Sequence, residues 1–364
     1  RSPNKMAYIA PKDFATDPAL LHKLMRVMGG ELDLSWMRSR DDAINARPSQ
    51  ERRGLTLDDI NRGVYSPDLS PEIVRHNFSM APRGAFLPPG LPSLGYRLNR
   101  KSEVWANNAA ALFEEGKARH WAPSHAVPWA ALTEHGYDAR EAAAWRQLAT
   151  ELISIGLVTG DVPARWEFQM NQEFHEVKYL MCVQMIDAAR TAEAWRKRAL
   201  YGDGSLGVDC QELGELLKMV ADSGTYPCAS ASQNLLLYSL VMTLGAHLEW
   251  AAKNAADSFL GTRLAQDAGR FVAYGVAHVR GVLAARPSEA DSLNGHLDLV
   301  ENGAVGWLGA RAHLEPLIVV SRGYEPVRAL YERSVREYFE RCAAAGLGDR
   351  RARSPLSKFL SFLS

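Results

Sequence analysis

Residues 184–195 read QMIDAARTAEAW, and residues 265–275 read AQDAGRFVAYG. Each stretch sets an aspartate three positions before an arginine, Asp187 with Arg190 and Asp267 with Arg270. Residues three apart on a helix lie on one side of it, so each pair shares a face. Both stretches fall inside long, alanine-rich segments, residues 171–200 and 231–285, the second broken near Ala256. Such segments predict long helices that run past one another.

Working outward, the helical pattern continues on both sides. Val104, Ala111, Leu112 and Phe113 recur at helical spacing up to Lys117, and residues 137–160 form a second helical stretch. That stretch is expected to stop at Gly160-Asp161-Val162-Pro163, because proline disfavours continuation. Residues 120–129 (HWAPSHAVPW) read as a loop with two prolines, and Gly202-Asp203-Gly204 as a turn. Residues 212–221 predict a short amphipathic helix, and residues 325–345 repeat the 3.6-residue period before a basic, serine-containing tail. In the first hundred residues, 20–28 read as a short helix, 47–53 as a polar loop, and 82–95 (PRGAFLPPGLPSLG) as an irregular covering arm. Leu317 to Val320 is too short a β-like run to change the class, which is all-α.

The two Asp-x-x-Arg stretches resemble the Asp-Glu-x-Arg-His motif of the ferritin-like superfamily, which includes ribonucleotide-reductase small-subunit-like di-iron proteins. Asp187, Arg190 and the Ala-Glu-Ala-aromatic run after them match one copy; Asp267, Arg270 and Val-Ala-Tyr-Gly match the other. The resemblance covers residues 102–285. It implies a ferritin-like four-helix bundle with additional N- and C-terminal helices. Residues 1–101 would then be an irregular N-terminal arm with a short helix, 102–285 the bundle, and 286–364 a C-terminal helical extension.

In that family each motif places a Glu and a His on one helix face, and each partner helix adds a carboxylate, to hold two irons. The resemblance puts Ala188 and Ala268 at the Glu positions, and Thr191 and Phe271 at the His positions. It puts Gly156 at one partner carboxylate and Thr243 at the other, with Asn234 or Gln233 as alternatives. Iron sites that activate oxygen need carboxylate and imidazole donors. The expectation is a degenerate di-iron site, metal-free and without any other cofactor. The retained Asp187, Arg190, Asp267 and Arg270 are expected to pair across the helices as a structural network, since a buried carboxylate alone is costly.

Loss of those side chains would also free volume. A small-molecule pocket is therefore expected, walled by Gly156, Gln184, Ala188, Trp195, Ala268 and Phe271. His247, Thr191 and Thr243 are the candidate catalytic groups, because His247 shares a helix face with Thr243. A plain packed or surface histidine is the competing reading of His247. His175 with Glu176, and Glu249 after His247, lack convincing metal spacing. His120 and His125 read as solvent-facing, and Cys182 as buried filler.

The bulk numbers narrow the partners. The chain has 364 residues, 47% hydrophobic, with 42 basic and 42 acidic residues and a formal net charge of zero. Nothing there favours nucleic acid or an anionic membrane. The four cysteines show no CxxC pair, no apolar run is long enough for a bilayer, and no leader pattern opens the chain, so a cytoplasmic protein with reduced thiols is expected. The first functional expectation is a cofactor-free enzyme of specialised metabolism, binding a small organic molecule for cyclisation, elimination or isomerisation. The alternative is a non-catalytic partner subunit, as a homodimer or with another protein. An atypical di-iron oxidase ranks third.

Overall fold

The computed structural model describes residues 16–31, 106–134, 136–167, 170, 175–202 and 204–363. Among them every regular element is helical. Helix α1 (Pro18–Met28) is capped by Asp17, whose Oδ1 accepts from the amides of Ala19 and Leu20. The expected 47–53 and 82–95 loops, and most of the 1–101 arm, lie outside the described residues.

After α2 (Ala109–Ala118) come two single turns, α3 (Pro123–Ala126) and α4 (Ala131–Glu134), and then the first long hairpin. It pairs α5 (Ala139–Glu167) with α6 (His175–Leu200). Helix α7 (Gln211–Ala221) leads to one long rod made of α8 (Tyr226–Ser230), a π-helical stretch (Ala231–Leu237) and α9 (Tyr238–Ala251). Helix α10 (Ala255–Ala285) packs back along α9 as the second hairpin. The break between α9 and α10 is set by Asn254, whose side chain caps Asp257 at the amide.

Both hairpins close through glycine. A methyl group at Gly156 on α5 would stand 2.7 Å from the Ala192 nitrogen of α6, and one at Gly261 on α10 would stand 2.5 Å from the Glu249 nitrogen of α9. Only a residue without a β-carbon lets two helix backbones come that close. The core includes Trp145, Trp166 and Trp195, all buried. Burying one such ring is worth about 4–6 kcal/mol at 25 cal/mol per Å².

Pro163 does not end its helix, as the chain pattern suggested; α5 runs on to Glu167. Proline has no N–H, so the carbonyl one turn back, that of Thr159, loses its helical donor. Gln233 supplies one instead: its Nε2 donates to the Thr159 oxygen at 3.1 Å. The π-helical stretch turns Gln233 toward α5 in this way, which explains an irregular turn in a buried rod.

Four more helices, α11 (Glu289–Gly309), α12 (Arg311–Val320), α13 (Tyr324–Ala344) and α14 (Pro355–Leu363), flank the hairpins. Helix α12 lies on α5, α13 on α9, and α14 on α11. The run at Leu317 to Val320 is thus helical, and the basic tail ends in a helix. Glu301 of α11 ties this region together: it accepts from Tyr338 (2.7 Å), Arg350 (2.8 Å) and Ser354 (2.6 Å), and both Glu301 and Arg350 are fully buried. Among the described residues no helix is long and apolar enough to cross a membrane.

Candidate functional site

Helices α6 and α10 face each other through the two Asp-x-x-Arg pairs. Arg190 donates to Asp187 at 2.5 Å on its own helix and to Asp267 at 2.7 Å across the gap. Arg270 donates to Asp267 on its own helix and to Asp187 at 2.8 Å across it. Each carboxylate therefore touches both guanidiniums, and two positive charges meet two negative ones in a closed ring. All four residues are buried.

Residues outside the two motifs close the ring's rim. Trp121 directs its indole N–H at Asp267 (3.4 Å) and has the Arg190 guanidinium over its ring, 4.9 Å from the ring centre. Arg190 also donates to His120 (3.2 Å), so this exposed histidine does touch the network. Burial raises the Asp187 pKa, the nearby Asp267 charge adds to that, and the two arginines oppose it. Burial acts to lower the Arg270 pKa, but Asp267 and Asp187 outweigh it, and the net direction is up.

Next to the ring lies a neutral polar layer. Gln184 donates to Asn234 (2.7 Å), and Asn234 donates to Ser230 (3.1 Å). Tyr238 is buried beside them, and burial drives its pKa well up. Its ring meets that of Phe271 at 5.3 Å.

Open volume was expected at the former ligand positions, and several of the described residues there stand in direct contact with neighbours. Gly156 faces the α6 backbone at contact distance. Ala188 lies beside Gly160, Phe271 is filled against Tyr238, and Ala268 and Trp195 are buried. Gln184 is occupied by Asn234, and the Thr191 hydroxyl donates back to the Asp187 carbonyl at 2.9 Å. None of these residues lines either of the two cavities described next.

The three candidate catalytic groups stand on two helices, Thr191 on α6 and Thr243 and His247 on α9. Thr243 and His247 do share a face, but it points at the C-terminal helices. Thr243 shares a 2.6 Å hydrogen bond with Ser334 of α13, and His247 Nε2 shares one of 2.7 Å with Ser321. Thr191, by contrast, belongs to the α6 side. Cys182 is exposed rather than buried filler.

Burial lowers the His247 pKa to about 4. The unfolded chain then binds a proton that the folded chain refuses between about pH 6.5 and 4. Stability should fall with pH across that window, and His247→Gln should flatten the fall. Denaturant midpoints at pH 7, 6, 5 and 4.5 for both proteins test this; parallel profiles would refute it.

A second buried centre has no precursor in the chain pattern. Glu151 of α5 accepts from His313 (2.7 Å) and from the Trp307 indole (3.1 Å), and its other oxygen has no hydrogen-bond partner. Beside it lies a cavity of about 10 Å³, between His313, Tyr331, Ser334 and Leu244. That volume suits about one water, not a substrate. The larger cavity is a groove of about 630 Å³ at the end of α6, lined by Ser124, Trp129, Glu193, Arg196, Lys197, Leu200 and Tyr201.

Among the described residues no group of three His, Cys, Asp or Glu stands together as a metal site. Asp187 and Asp267, the nearest carboxylates to the expected ligand positions, spend both oxygens on arginines.

No family model matches this sequence, and no curated protein matches it. Among solved structures it is similar to a single-substitution mutant of an R2-like ligand-binding oxidase with an aerobically reconstituted Mn/Fe cofactor, at 12% identity and a TM-score of 0.44, over 76% of this chain and 98% of that one. A likeness at that level carries no argument about chemistry; the all-α architecture stands on this chain's own helix contacts.

Proposed function

We propose that this chain is a non-catalytic helical subunit of a larger assembly, with a charge-balanced clamp at the centre where a di-iron protein would hold its metals. The observation that carries the reading is the four-way ring of Asp187, Arg190, Asp267 and Arg270. Carboxylates saturated by guanidiniums are poor metal donors, and Ala188, Ala268 and Phe271 offer no donor atoms at all. The residues do not fit an iron pair. They fit a device that holds α6 and α10 in register without one.

The packing favours a subunit over an enzyme. Of the residues nominated as pocket walls, Gln184 bonds Asn234, Phe271 packs on Tyr238, and Gly156 abuts the α6 backbone. Meanwhile Leu157 and Ile186, on the outer side of the first hairpin, are 59% and 51% exposed, and Trp250 is 58% exposed. Large exposed apolar side chains of this kind are what an assembly covers. The reading of a metal-free enzyme with a substrate at the bundle centre has less support, because Gly156, Gln184 and Phe271 there already contact neighbouring groups.

The test uses the tagged full chain, expressed in its own host with ample iron. The expected result is a stoichiometric complex by native mass spectrometry, far less than one iron per copy of this chain, and no turnover by the chain alone. Two irons bound per isolated chain, or a monomer with no partner at any purification step, would overturn the proposal.

A further inference from the structure

The groove at the end of α6 has the features of a built ligand site, and we infer that it binds a flat aromatic acid. Nothing in the clamp or in the assembly reading requires it; it is a separate site on the outside of the bundle. Its volume, about 630 Å³, lies in the range of small-molecule pockets.

One wall is aromatic. Trp129 and Tyr201 lie nearly parallel, 18° apart, with ring centres 6.2 Å from each other. At that spacing the rings already pair, so a ligand lies against them rather than between them. Trp129 is held in place by its indole N–H, which donates to the Pro123 carbonyl at 2.9 Å. A fixed ring costs little entropy when a ligand stacks on it. The floor is Leu200, which is 40% exposed and has the aliphatic stems of Arg196 and Lys197 beside it.

The rim selects charge. Lys197 is shared with Glu193 on the same helix and with the Ser124 hydroxyl (2.9 Å). Arg196 is exposed and makes no ion pair among the described residues. The groove therefore carries two cations and one carboxylate, and the arginine is the one with donors to spare. A guanidinium at the edge of an aromatic wall suits a carboxylate attached to a planar ring. An aliphatic acid would waste the wall, and a neutral ring would waste the arginine.

The probe is 2-naphthoate, with 2-naphthol as its uncharged counterpart at pH 7. Calorimetric titration into the full chain should give saturable binding of the acid, about tenfold tighter than the naphthol. Arg196→Gln should remove that difference while leaving naphthol binding in place. Trp129→Ala should weaken both probes about tenfold. Leu200→Glu changes a side chain that is 40% exposed, and it should abolish binding of the acid even if the tryptophan variant fails to fold. Absence of saturation at millimolar probe, or equal binding by wild type, Arg196→Gln and Leu200→Glu, would overturn the inference. Neither outcome bears on whether the chain joins an assembly.

Discussion

Asp187→Ala is expected to lower folding stability by about 3–5 kcal/mol, as breaking a buried ion pair does. The alanine removes one carboxylate and leaves both guanidiniums relying on Asp267 for a carboxylate hydrogen bond. Arg190 and Arg270 are each under 5% exposed, so water cannot replace the lost oxygens without opening the hairpins. Arg270 is the worse placed, because its Nε and Nη1 have no hydrogen-bond partner even in the intact ring, and Glu115 comes no nearer than 4.0 Å. Replacing the whole ring, with leucine at both aspartates and methionine at both arginines, should be far milder than the single change. Charges removed together leave nothing uncompensated. Urea unfolding of the single and the quadruple variant at pH 7 makes the comparison. If Asp187→Ala costs less than about 1 kcal/mol, the ring is not a closed electrostatic unit, and the clamp loses its basis.

Glu301→Ala should be as damaging, at about 3–5 kcal/mol, through a different part of the molecule. Glu301 is fully buried and takes three donors from three places: Tyr338 on α13, Arg350 beyond it, and Ser354 at the start of α14. Its loss strands the Arg350 guanidinium, whose remaining partners are Asn294 and, at 2.6 Å, the half-exposed Asp298. Residues 346–363 should then lose protection. Hydrogen exchange in that segment should rise much more than in α5 and α6, and limited proteolysis should cut near Arg353 first. Glu301→Gln retains one acceptor oxygen and the shape, so it should fall between alanine and wild type. Uniform loss of protection over the whole chain would show instead that the C-terminal helices are not a separable layer around Glu301.

The two predictions rest on residues of very different visibility in the chain. Asp187 with Arg190, and Asp267 with Arg270, stand out because a spacing of three puts each pair on one helix face. Glu301 and Arg350 are 49 positions apart and carry no local pattern. The same contrast holds for Glu151 and His313, and for Trp121 over Arg190. Pro163 is a case where a sound local rule loses: the proline does orphan the Thr159 carbonyl, but Gln233, from the other hairpin, donates to it. Thr243 and His247 share a face, as their spacing requires, yet that face meets Ser334 and Ser321 rather than the bundle centre.

What the chain determined alone was local and periodic: the all-α class, the long paired helices, and the charged face that each Asp-x-x-Arg pair presents. Those follow from the 3.6-residue repeat, which every helix carries within itself. Tertiary structure alone decided what each face meets, which helix backbones touch at Gly156 and Gly261, and where space remains. Those are contacts between segments distant along the chain, and close packing lets a single neighbour turn an apparent pocket wall into filled core.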